Sequence, residues 1–201
     1  NVSLYNGTNK KNIYPTPVIG GVGLITNINN TINQYLKKDQ NIILQIGKNF
    51  GELSQSIFLE EIYSITDGPP PEVNLSNEKN NGLAVLKLIN NKLVASVHDI
   101  STGGLILALA EMTFKSGLGI KINKPNNLTN LMEYFFSEDQ GRYLLEVSPD
   151  NLKKINKVLD EDNVFNEVIG TTQKDYFEIS GQFKIKINDL YKSNNTWYNN
   201  Y

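Results

Sequence analysis

The sequence predicts an α+β protein, a layered α/β sandwich built on a mixed sheet. Segments with helical spacing alternate irregularly with short apolar runs, which favours this class over a regular parallel doubly wound sheet. Hairpin-like strand candidates lie near the end of the chain, and 201 residues suffice for one domain of ordinary size. Neither a GxGxxG nor a Walker A spacing occurs, so the sequence predicts no phosphate loop of those types.

The first 30 residues differ from the rest of the chain. Pro15 and Pro17 force an extended entry into the β-branched run 18–25, which predicts a strand, and glycines within that run suggest close backbone packing. This beginning has too few apolar positions for a core of its own. Because the chain also starts at Asn rather than Met, we expect it to be a piece of a longer protein.

From residue 41 onward, strand and helix candidates follow one another. The stretch 67–71, Asp-Gly-Pro-Pro-Pro, breaks the pattern as a turn or loop, and the alternating run 118–122 predicts a half-exposed strand. The predicted helices span 54–63, 77–90, 104–116, 128–134, 149–159 and 189–201, and the predicted strands span 41–47, 92–97, 118–122, 141–147, 164–170, 176–179 and 183–187. The predicted apolar positions of the first two helices are Ile57, Leu59, Ile62 and Tyr63, then Leu83, Val85, Leu86 and Ile89.

Composition excludes several classes of function. The chain has no cysteine, which removes thiol catalysis, disulfides and cysteine-based zinc sites. Its net charge of −2 gives no reason to expect a nucleic-acid partner. No apolar run approaches membrane-spanning length and the start lacks the features of a signal peptide, so we expect no membrane partner and a cytoplasmic location.

One segment combines polar side chains, glycines and a helix start. His98 and Asp99 end an apolar run, and Ser101, Gly103 and Gly104 follow before a predicted helix. Unpaired N–H groups at a helix N-terminus suit a phosphate, and a carboxylate beside them can hold Mg²⁺. Two alternatives stay open: a tight turn that binds nothing, and a histidine with a structural role. No second histidine or serine is paired with His98 in a recognisable pattern, so nucleophilic catalysis has weak support.

A second cluster, Phe-Phe-Ser-Glu-Asp-Gln-Gly-Arg at 135–142, places polar groups between aromatic residues and an apolar strand. Glu138, Gln140 and Arg142 together are more than a surface turn needs, but turns carry charges at little cost. A functional site and a solvated turn therefore both remain open for this cluster.

Four motifs in one order resemble a known family. They read Asn-Val-Ser-Leu-Tyr-Asn at 1–6, Pro-Thr-Pro-Val-Ile-Gly-Gly-Val-Gly-Leu-Ile at 15–25, His-Asp-Ile-Ser-Thr-Gly-Gly-Leu at 98–105 and Ser-Glu-Asp-Gln-Gly-Arg at 137–142. In this order and spacing they are similar to the carboxyl-terminal portion of phosphoribosylformylglycinamidine synthase, the small form of its synthetase subunit, within the aminoimidazole ribonucleotide synthetase superfamily. The likeness runs from Asn1 to at least Gly170.

The resemblance implies a fold, a reaction and partners. Residues 1–30 would end an amino-type synthetase domain, and residues 31–201 would form a carboxyl-type α/β sandwich that is partly ferredoxin-like. The family uses ATP and Mg²⁺ to phosphorylate the amide oxygen of formylglycinamide ribonucleotide, and ammonia from glutamine then displaces the phosphate. The implied partners are the missing amino-terminal part, a glutaminase subunit, a small bridging subunit and the small-molecule substrate.

The resemblance also assigns roles residue by residue. In the family motif Gly-Asn-Val-Ser, Asn1 matches a Mg²⁺ ligand and Ser3 a substrate contact, while the ATP-contacting Gly is absent and Gly7 replaces a frequent Glu. His98 does not match the family's catalytic histidines, which lie in the other half of the synthetase, so no catalytic residue is assigned. For the 98–104 turn and the 135–142 cluster, the resemblance leaves open an auxiliary phosphate or nucleotide site. Its residues would be His98, Asp99, Ser101, Gly103, Gly104, Glu138 and Gln140. Thr102 stands where related turns often have Asp.

The leading hypothesis is a carboxyl-terminal part of this ATP-dependent C–N ligase of purine biosynthesis, inactive alone. One alternative is a non-catalytic auxiliary nucleotide-binding or scaffold domain. Another is a different member of the superfamily, such as a hydrogenase-maturation protein or selenophosphate synthetase.

Overall fold

The computed structural model describes residues 7–8, 11–12, 19–123, 125 and 130–199. Its strands are β1 (Gly7–Thr8), β2 (Lys11–Asn12), β3 (Ile42–Ile46), β4 (Ser96–Ile100), β5 (Leu118–Ile122), β6 (Arg142–Val147), β7 (Asn166–Lys174), β8 (Tyr176–Ile179) and β9 (Phe183–Lys186). Its helices are α1 (Ile57–Tyr63), α2 (Leu75–Asn90), α3 (Gly104–Thr113), α4 (Leu131–Phe136), α5 (Pro149–Glu161) and α6 (Ile187–Asn199), with a 3₁₀ turn at Ile28–Asn30.

Seven strands form one mixed sheet in the order β4-β6-β3-β7-β5-β8-β9, and β1 pairs with β2 separately. Neighbours in the large sheet are antiparallel except β5 and β8, which are parallel. Part of this sheet has ferredoxin-like connectivity: β3-α2-β4 and β6-α5-β7 are two βαβ units whose strands interleave as β4-β6-β3-β7. The segment α3-β5-α4 is inserted between the two units. The predicted class, an α+β sandwich with a mixed, partly ferredoxin-like sheet, is confirmed.

Helices cover both faces of this sheet, because successive side chains of a strand point to opposite faces. Ile43 of β3 belongs to a buried cluster with residues of α3, α4 and α6, whereas Leu44 and Ile46 belong to another cluster with residues of α2 and α5. These five helices contribute buried apolar side chains to the two clusters, including Leu105, Leu109 and Met112 from α3, Phe135 from α4, Ile187 from α6, Leu88 from α2, and Ile155 and Leu159 from α5. The result is three layers with two cores.

Local chemistry explains where several helices begin. The Ser56 hydroxyl accepts a hydrogen bond from Leu59 N, and the Asn74 side-chain oxygen accepts one from Asn77 N at 3.0 Å. These are ordinary N-cap interactions, which satisfy N–H groups that have no partner inside the helix. Pro149 stands in the first turn of α5, where its missing N–H costs nothing.

Two predicted apolar faces are wrong in part. In α2, Ala84, Val85 and Leu88 are buried, while Leu83 and Leu86 are 54% and 51% exposed. In α1 no residue is buried, and Ile62 and Tyr63 are exposed. Helical spacing identifies residues that share a face, but an asparagine-rich helix with leucines on several sides leaves the choice of face to tertiary packing.

Other boundaries also differ from the prediction. Residues 19–25 form no strand and their apolar side chains are exposed, because no other described strand lies beside them to complete a hydrogen-bond ladder; Val18 lies outside the described residues. Strand β4 begins at Ser96 rather than 92 and includes His98 and Asp99. Only Lys121 of β5 is exposed, because β5 lies between β7 and β8 inside the sheet.

Candidate functional site

The turn between β4 and α3 requires its two glycines. Gly103 has φ +81° and Gly104 has φ +69°, in the left-handed region that side chains rarely adopt. A Cβ on Gly104 would lie 2.6 Å from the backbone oxygen of Ser137, and one on Gly103 would lie 2.6 Å from Leu107 Cδ2. The glycine pair therefore permits the β4–α3 turn and its close approach to the segment that follows α4.

The carboxylate of Glu138 joins the two sequence clusters. Its Oε1 accepts hydrogen bonds from Gly103 N at 2.8 Å and from Ile57 N at 3.0 Å. Gly103 is the N-cap of α3 and Ile57 the first residue of α1, so one carboxylate oxygen lies at the N-termini of both helices. A negative charge is favourable there, because the unpaired N–H groups carry partial positive charge. Glu138 thus binds an N–H that the sequence suggested for a phosphate.

His98 lies between two carboxylates. Its Nε2 is 2.9 Å from Glu111 Oε2 on α3, and its Nδ1 is 3.2 Å from Asp99 Oδ1. The imidazole is 13% exposed, while the Asp99 side chain is 66% exposed. Both ring nitrogens therefore have a protein partner, and the contact to Glu111 ties β4 to α3. This geometry fits the structural role that the sequence left open for the histidine.

The remaining predicted residues of this group are at the surface. Ser101 and Gln140 are exposed, and the Gln140 amide makes only a long hydrogen bond, 3.4 Å, to Glu138 O. Gln140 also lines a cavity of about 250 Å³, together with Lys48, Glu78 and Phe165. The structure therefore brings the turn and Glu138 together, whereas Gln140 lines a cavity to which the turn does not contribute.

Asp139 and Arg142 are buried, so the second cluster is not simply a solvated turn. Asp139 accepts hydrogen bonds from the backbone N–H groups of Phe50 at 2.9 Å, Gly51 at 3.2 Å and Glu52 at 3.4 Å. Arg142 donates to Ser137 O at 2.6 Å and to Asp139 O at 3.1 Å. Burial lowers the pKa of Arg142, and the nearby Asp139 carboxylate acts in the opposite direction.

Sequence reasoning missed the role of Asp139, which fixes loop 50–52, and the participation of the α1 N-terminus. The available signal was an Asp three residues before an Arg that begins an apolar strand. The donors of Asp139 lie more than 80 residues away in sequence, and those of Glu138 lie 35 and 81 residues away, so no local pattern reports them. Asn1 and Ser3, the predicted metal and substrate residues, lie outside the described residues.

The described part of the chain lacks a cluster of metal ligands and a helix that could span a membrane. It contains no group of three or more His, Cys, Asp or Glu side chains arranged to hold a metal ion. None of its helices is both long and apolar enough to cross a bilayer.

Residues 39–180 match the family model described as AIR synthase related protein, C-terminal domain. The chain is 48% identical over 201 residues to a phosphoribosylformylglycinamidine synthase subunit PurL from Pelagibacter ubique, covering 100% of this chain and 28% of that protein. A subunit of the same name from Bradyrhizobium diazoefficiens is 40% identical over 202 residues, with 27% of its length covered. The chain thus spans little more than a quarter of these relatives.

Solved structures show the same fold. Thermotoga maritima PurL complexed with FGAR matches with a TM-score of 0.69 and 17% identity, over 82% of this chain and 30% of that one. A HypE–HypF complex matches less well, with a TM-score of 0.50 and 17% identity over 77% of this chain and 54% of that one. At these identities the structural likeness supports the fold alone.

Proposed function

Since the chain belongs to the AIR synthase related family through its C-terminal domain, we propose that it is the carboxyl-terminal part of an ATP-dependent phosphoribosylformylglycinamidine synthase. The observation that carries the proposal is 48% identity to a PurL subunit over the whole of this chain. In the proposed reaction, formylglycinamide ribonucleotide, ammonia derived from glutamine and ATP give formylglycinamidine ribonucleotide, ADP and phosphate. The chain spans 28% of that relative, so we expect it to be inactive without the rest of the synthetase.

Exposed apolar residues support packing against more protein. Ile19 is 90% exposed and Leu24 is 97% exposed, and Ile25 and Ile28 of the same segment are also exposed. This segment precedes the matched domain, and several large apolar side chains exposed together are typical of an interaction surface. We propose that residues 19–28 pack on the amino-terminal part of the synthetase.

Within the proposed enzyme, Asn1 is assigned as a Mg²⁺ ligand and Ser3 as a substrate contact. An amide oxygen is a suitable ligand for Mg²⁺, which prefers hard oxygen donors and retains waters and phosphate oxygens. Bound with ATP, the ion would neutralise phosphate charge while the substrate amide oxygen is phosphorylated. The Ser3 hydroxyl would orient the substrate by hydrogen bonding.

Further partners follow from the same proposal. A solved Thermotoga maritima assembly named PurLQS contains PurL, and we propose that the protein containing this chain likewise works with a glutaminase subunit and a small bridging subunit. Its proposed location is the cytoplasm.

The decisive experiment replaces the corresponding quarter of the Pelagibacter ubique subunit with this chain. Formation of ADP that depends on ammonia and formylglycinamide ribonucleotide is expected from the folded chimera and not from the chain alone. Asn1→Ala and Ser3→Ala should each lower kcat/KM in the chimera, with Asn9→Ala as the matched control outside the motif. A folded chimera without turnover contradicts the assignment, and turnover by the isolated chain contradicts its inactivity.

A scaffold role is the second candidate for the turn at 98–104, and the position of Glu138 favours it. A phosphate bound to Gly103 N would have to displace a carboxylate that already accepts from two helix N-termini. The auxiliary phosphate or nucleotide site at His98, Asp99, Ser101, Gly103, Gly104, Glu138 and Gln140 stays a prediction.

Calorimetric titration with ADP and Mg²⁺ separates the two candidates for the turn. A scaffold gives no saturable binding heat for the wild-type chain or for Glu138→Gln. An auxiliary phosphate site gives binding heat in the wild type and tighter binding in Glu138→Gln, because the competing negative charge is gone. Glu161→Gln, at the exposed end of α5, is the matched control.

A further inference from the structure

Three buried polar atoms at the end of β3 have no hydrogen-bond partner among the described residues. They are Gln45 Oε1, Tyr134 OH and Arg142 Nη1. Gln45 is 0% exposed, Arg142 is 1% exposed and Tyr134 is 6% exposed. Buried polar groups in folded proteins nearly always pair with protein or with ordered water, since an unpaired one forfeits its hydration. These three atoms therefore need a hydrogen-bond partner other than a described side chain.

Gln45 and Arg142 are neighbours on one face of the sheet. Gln45 lies opposite Leu144 in the β3–β6 register, and Arg142 precedes Leu144 by two residues, so all three share a face. The Gln45 amide donates through Nε2 to Gly47 O at 3.0 Å. A Cβ on Gly47 would lie 3.0 Å from Arg142 Cγ, so the stem of the arginine passes directly beside Gly47. The side chains of Gln45 and Arg142 are therefore diagonal neighbours on this face.

Helix α4 places Tyr134 beside them. Asn49, two residues after Gly47, donates to Tyr134 O at 2.7 Å, which joins the loop after β3 to α4. Tyr134 lines the same surface cleft as Glu167, which lies opposite Gln45 in the β3–β7 register. Burial raises the pKa of Tyr134, and the positive charge of Arg142 opposes that rise. The residues that carry the three unpaired atoms therefore lie in one region, contributed by β3, β6 and α4.

The hydrogen-bonding capacity of the three atoms selects the ligand. Gln45 Oε1 can only accept, Arg142 Nη1 can only donate, and the Tyr134 hydroxyl can do either. A cation would be repelled by the guanidinium, and an anion would face the amide oxygen. Water carries two donors and two acceptors, and a buried water typically makes about three hydrogen bonds.

We propose that Gln45, Tyr134 and Arg142 form an internal water-binding site, in which one water accepts from Arg142, donates to Gln45 and bridges to Tyr134. Glu167, opposite Gln45 in the β3–β7 register, and Tyr134 also line a surface cleft of about 430 Å³. This cleft provides a short route for exchange with solvent. The water completes the surroundings of Arg142, and so supports the 137–142 segment that holds loop 50–52.

Tyr134→Phe tests the proposal through the sign of its effect. It deletes only the hydroxyl oxygen, and loss of a hydrogen bond to water should raise the equilibrium constant of unfolding about fivefold. If the hydroxyl is truly unpaired, its removal relieves an unpaired buried group and the constant falls. Urea titration of the chain measures the change in this constant. Tyr63→Phe, at a residue that is 58% exposed, should change it less than about twofold. A fall, or no change, in Tyr134→Phe overturns the proposal.

A crystal structure of the chain gives a second, independent outcome. We expect water density within about 3.2 Å of all three atoms. A direct hydrogen bond between Tyr134 OH and Gln45 Oε1, or a site without density, overturns the proposal. A double-mutant cycle of Tyr134→Phe with Gln45→Met should show non-additive effects, because both residues bind the same water. Additive effects of the two substitutions would count against it.

Discussion

Glu146, on β6 next to the edge strand β4, is a fully buried carboxylate that binds four hydrogen-bond donors. Its Oε2 accepts from Lys37 N at 2.8 Å and Ser96 Oγ at 3.0 Å, and its Oε1 accepts from Lys38 N at 2.9 Å and Asn41 Nδ2 at 2.7 Å. It is 0% exposed. One side chain of β6 thereby fixes the segment before β3 to strands β4 and β6.

Glu146→Gln keeps the shape and removes the charge. The amide oxygen can replace only one carboxylate oxygen, and its NH₂ group must face at least one backbone N–H that then loses its acceptor. An unpaired buried N–H costs roughly 1–3 kcal/mol, and the remaining bonds lose charge assistance worth about 1 kcal/mol. We therefore expect the free energy of unfolding to fall by about 3 kcal/mol. For a chain of this length that corresponds to roughly 6–12 °C in Tm.

Urea titration of the chain with circular dichroism measures this loss, and hydrogen exchange locates it. The amides of Lys37 and Lys38 should exchange faster in Glu146→Gln even where β3 stays protected. The matched control is Glu161→Gln on α5, a carboxylate 3.9 Å from Lys157 and 57% exposed, which should cost no more than about 0.5 kcal/mol. A loss below about 1 kcal/mol in Glu146→Gln, or unchanged exchange at both amides, would refute the reasoning.

Three further predictions test the turn, the face of α2 and the electrostatics of the cleft. Gly104→Ala should lower the free energy of unfolding by about 3 kcal/mol or more, because it combines a left-handed φ with a Cβ 2.6 Å from a backbone oxygen. Gly117→Ala, at φ +68° in open space, should lower it by only about 1 kcal/mol. Equal losses in denaturant titrations would contradict the steric contribution at Gly104. Leu88→Ala should lower the free energy of unfolding by about 2–5 kcal/mol and Leu86→Ala by about 0.5 kcal/mol. The reverse order would show that the opposite face of α2 packs on the sheet. Burial raises the pKa of Glu167, so the folded chain holds this proton more tightly than the unfolded chain, and the resulting stability is lost as pH rises through the folded pKa. Relative to wild type, Glu167→Gln should therefore gain stability between about pH 4 and about pH 7, and urea midpoints that show no relative gain would contradict this.

Much of the architecture was predictable from local patterns. The strands 41–47, 141–147 and 176–179 lie within one residue of β3, β6 and β8 at each end, because short apolar runs between breakers have few other structures available. Leu105, Leu109 and Met112 are buried in α3 as their spacing indicates. The predicted face of α2 was wrong in part and no strand forms at 19–25, because burial there depends on which surface a neighbouring element covers.

The candidate site was likewise predictable in part from the sequence. The glycine pair at 103–104 was recognisable, because a strand followed by two glycines and an apolar helix restricts the backbone locally. That Glu138 rather than a free donor group faces this turn was not recognisable. Its two hydrogen bonds join residues 35 and 81 positions apart in sequence, and only the folded chain brings them within 3.0 Å.

The sequence by itself determined the class of fold, most of its elements and the family, because side-chain periodicity, glycine and proline positions and motif order are local properties of the chain. Only the tertiary structure decided which polar groups are paired. Nothing in the sequence distinguishes three carboxylates, Glu146, Asp139 and Glu138, from the other acidic residues. In the structure each accepts hydrogen bonds from distant segments. The reason is physical: the environment of a charge is set by what folds around it, and the sheet brings those donors together across more than 30 residues of intervening chain.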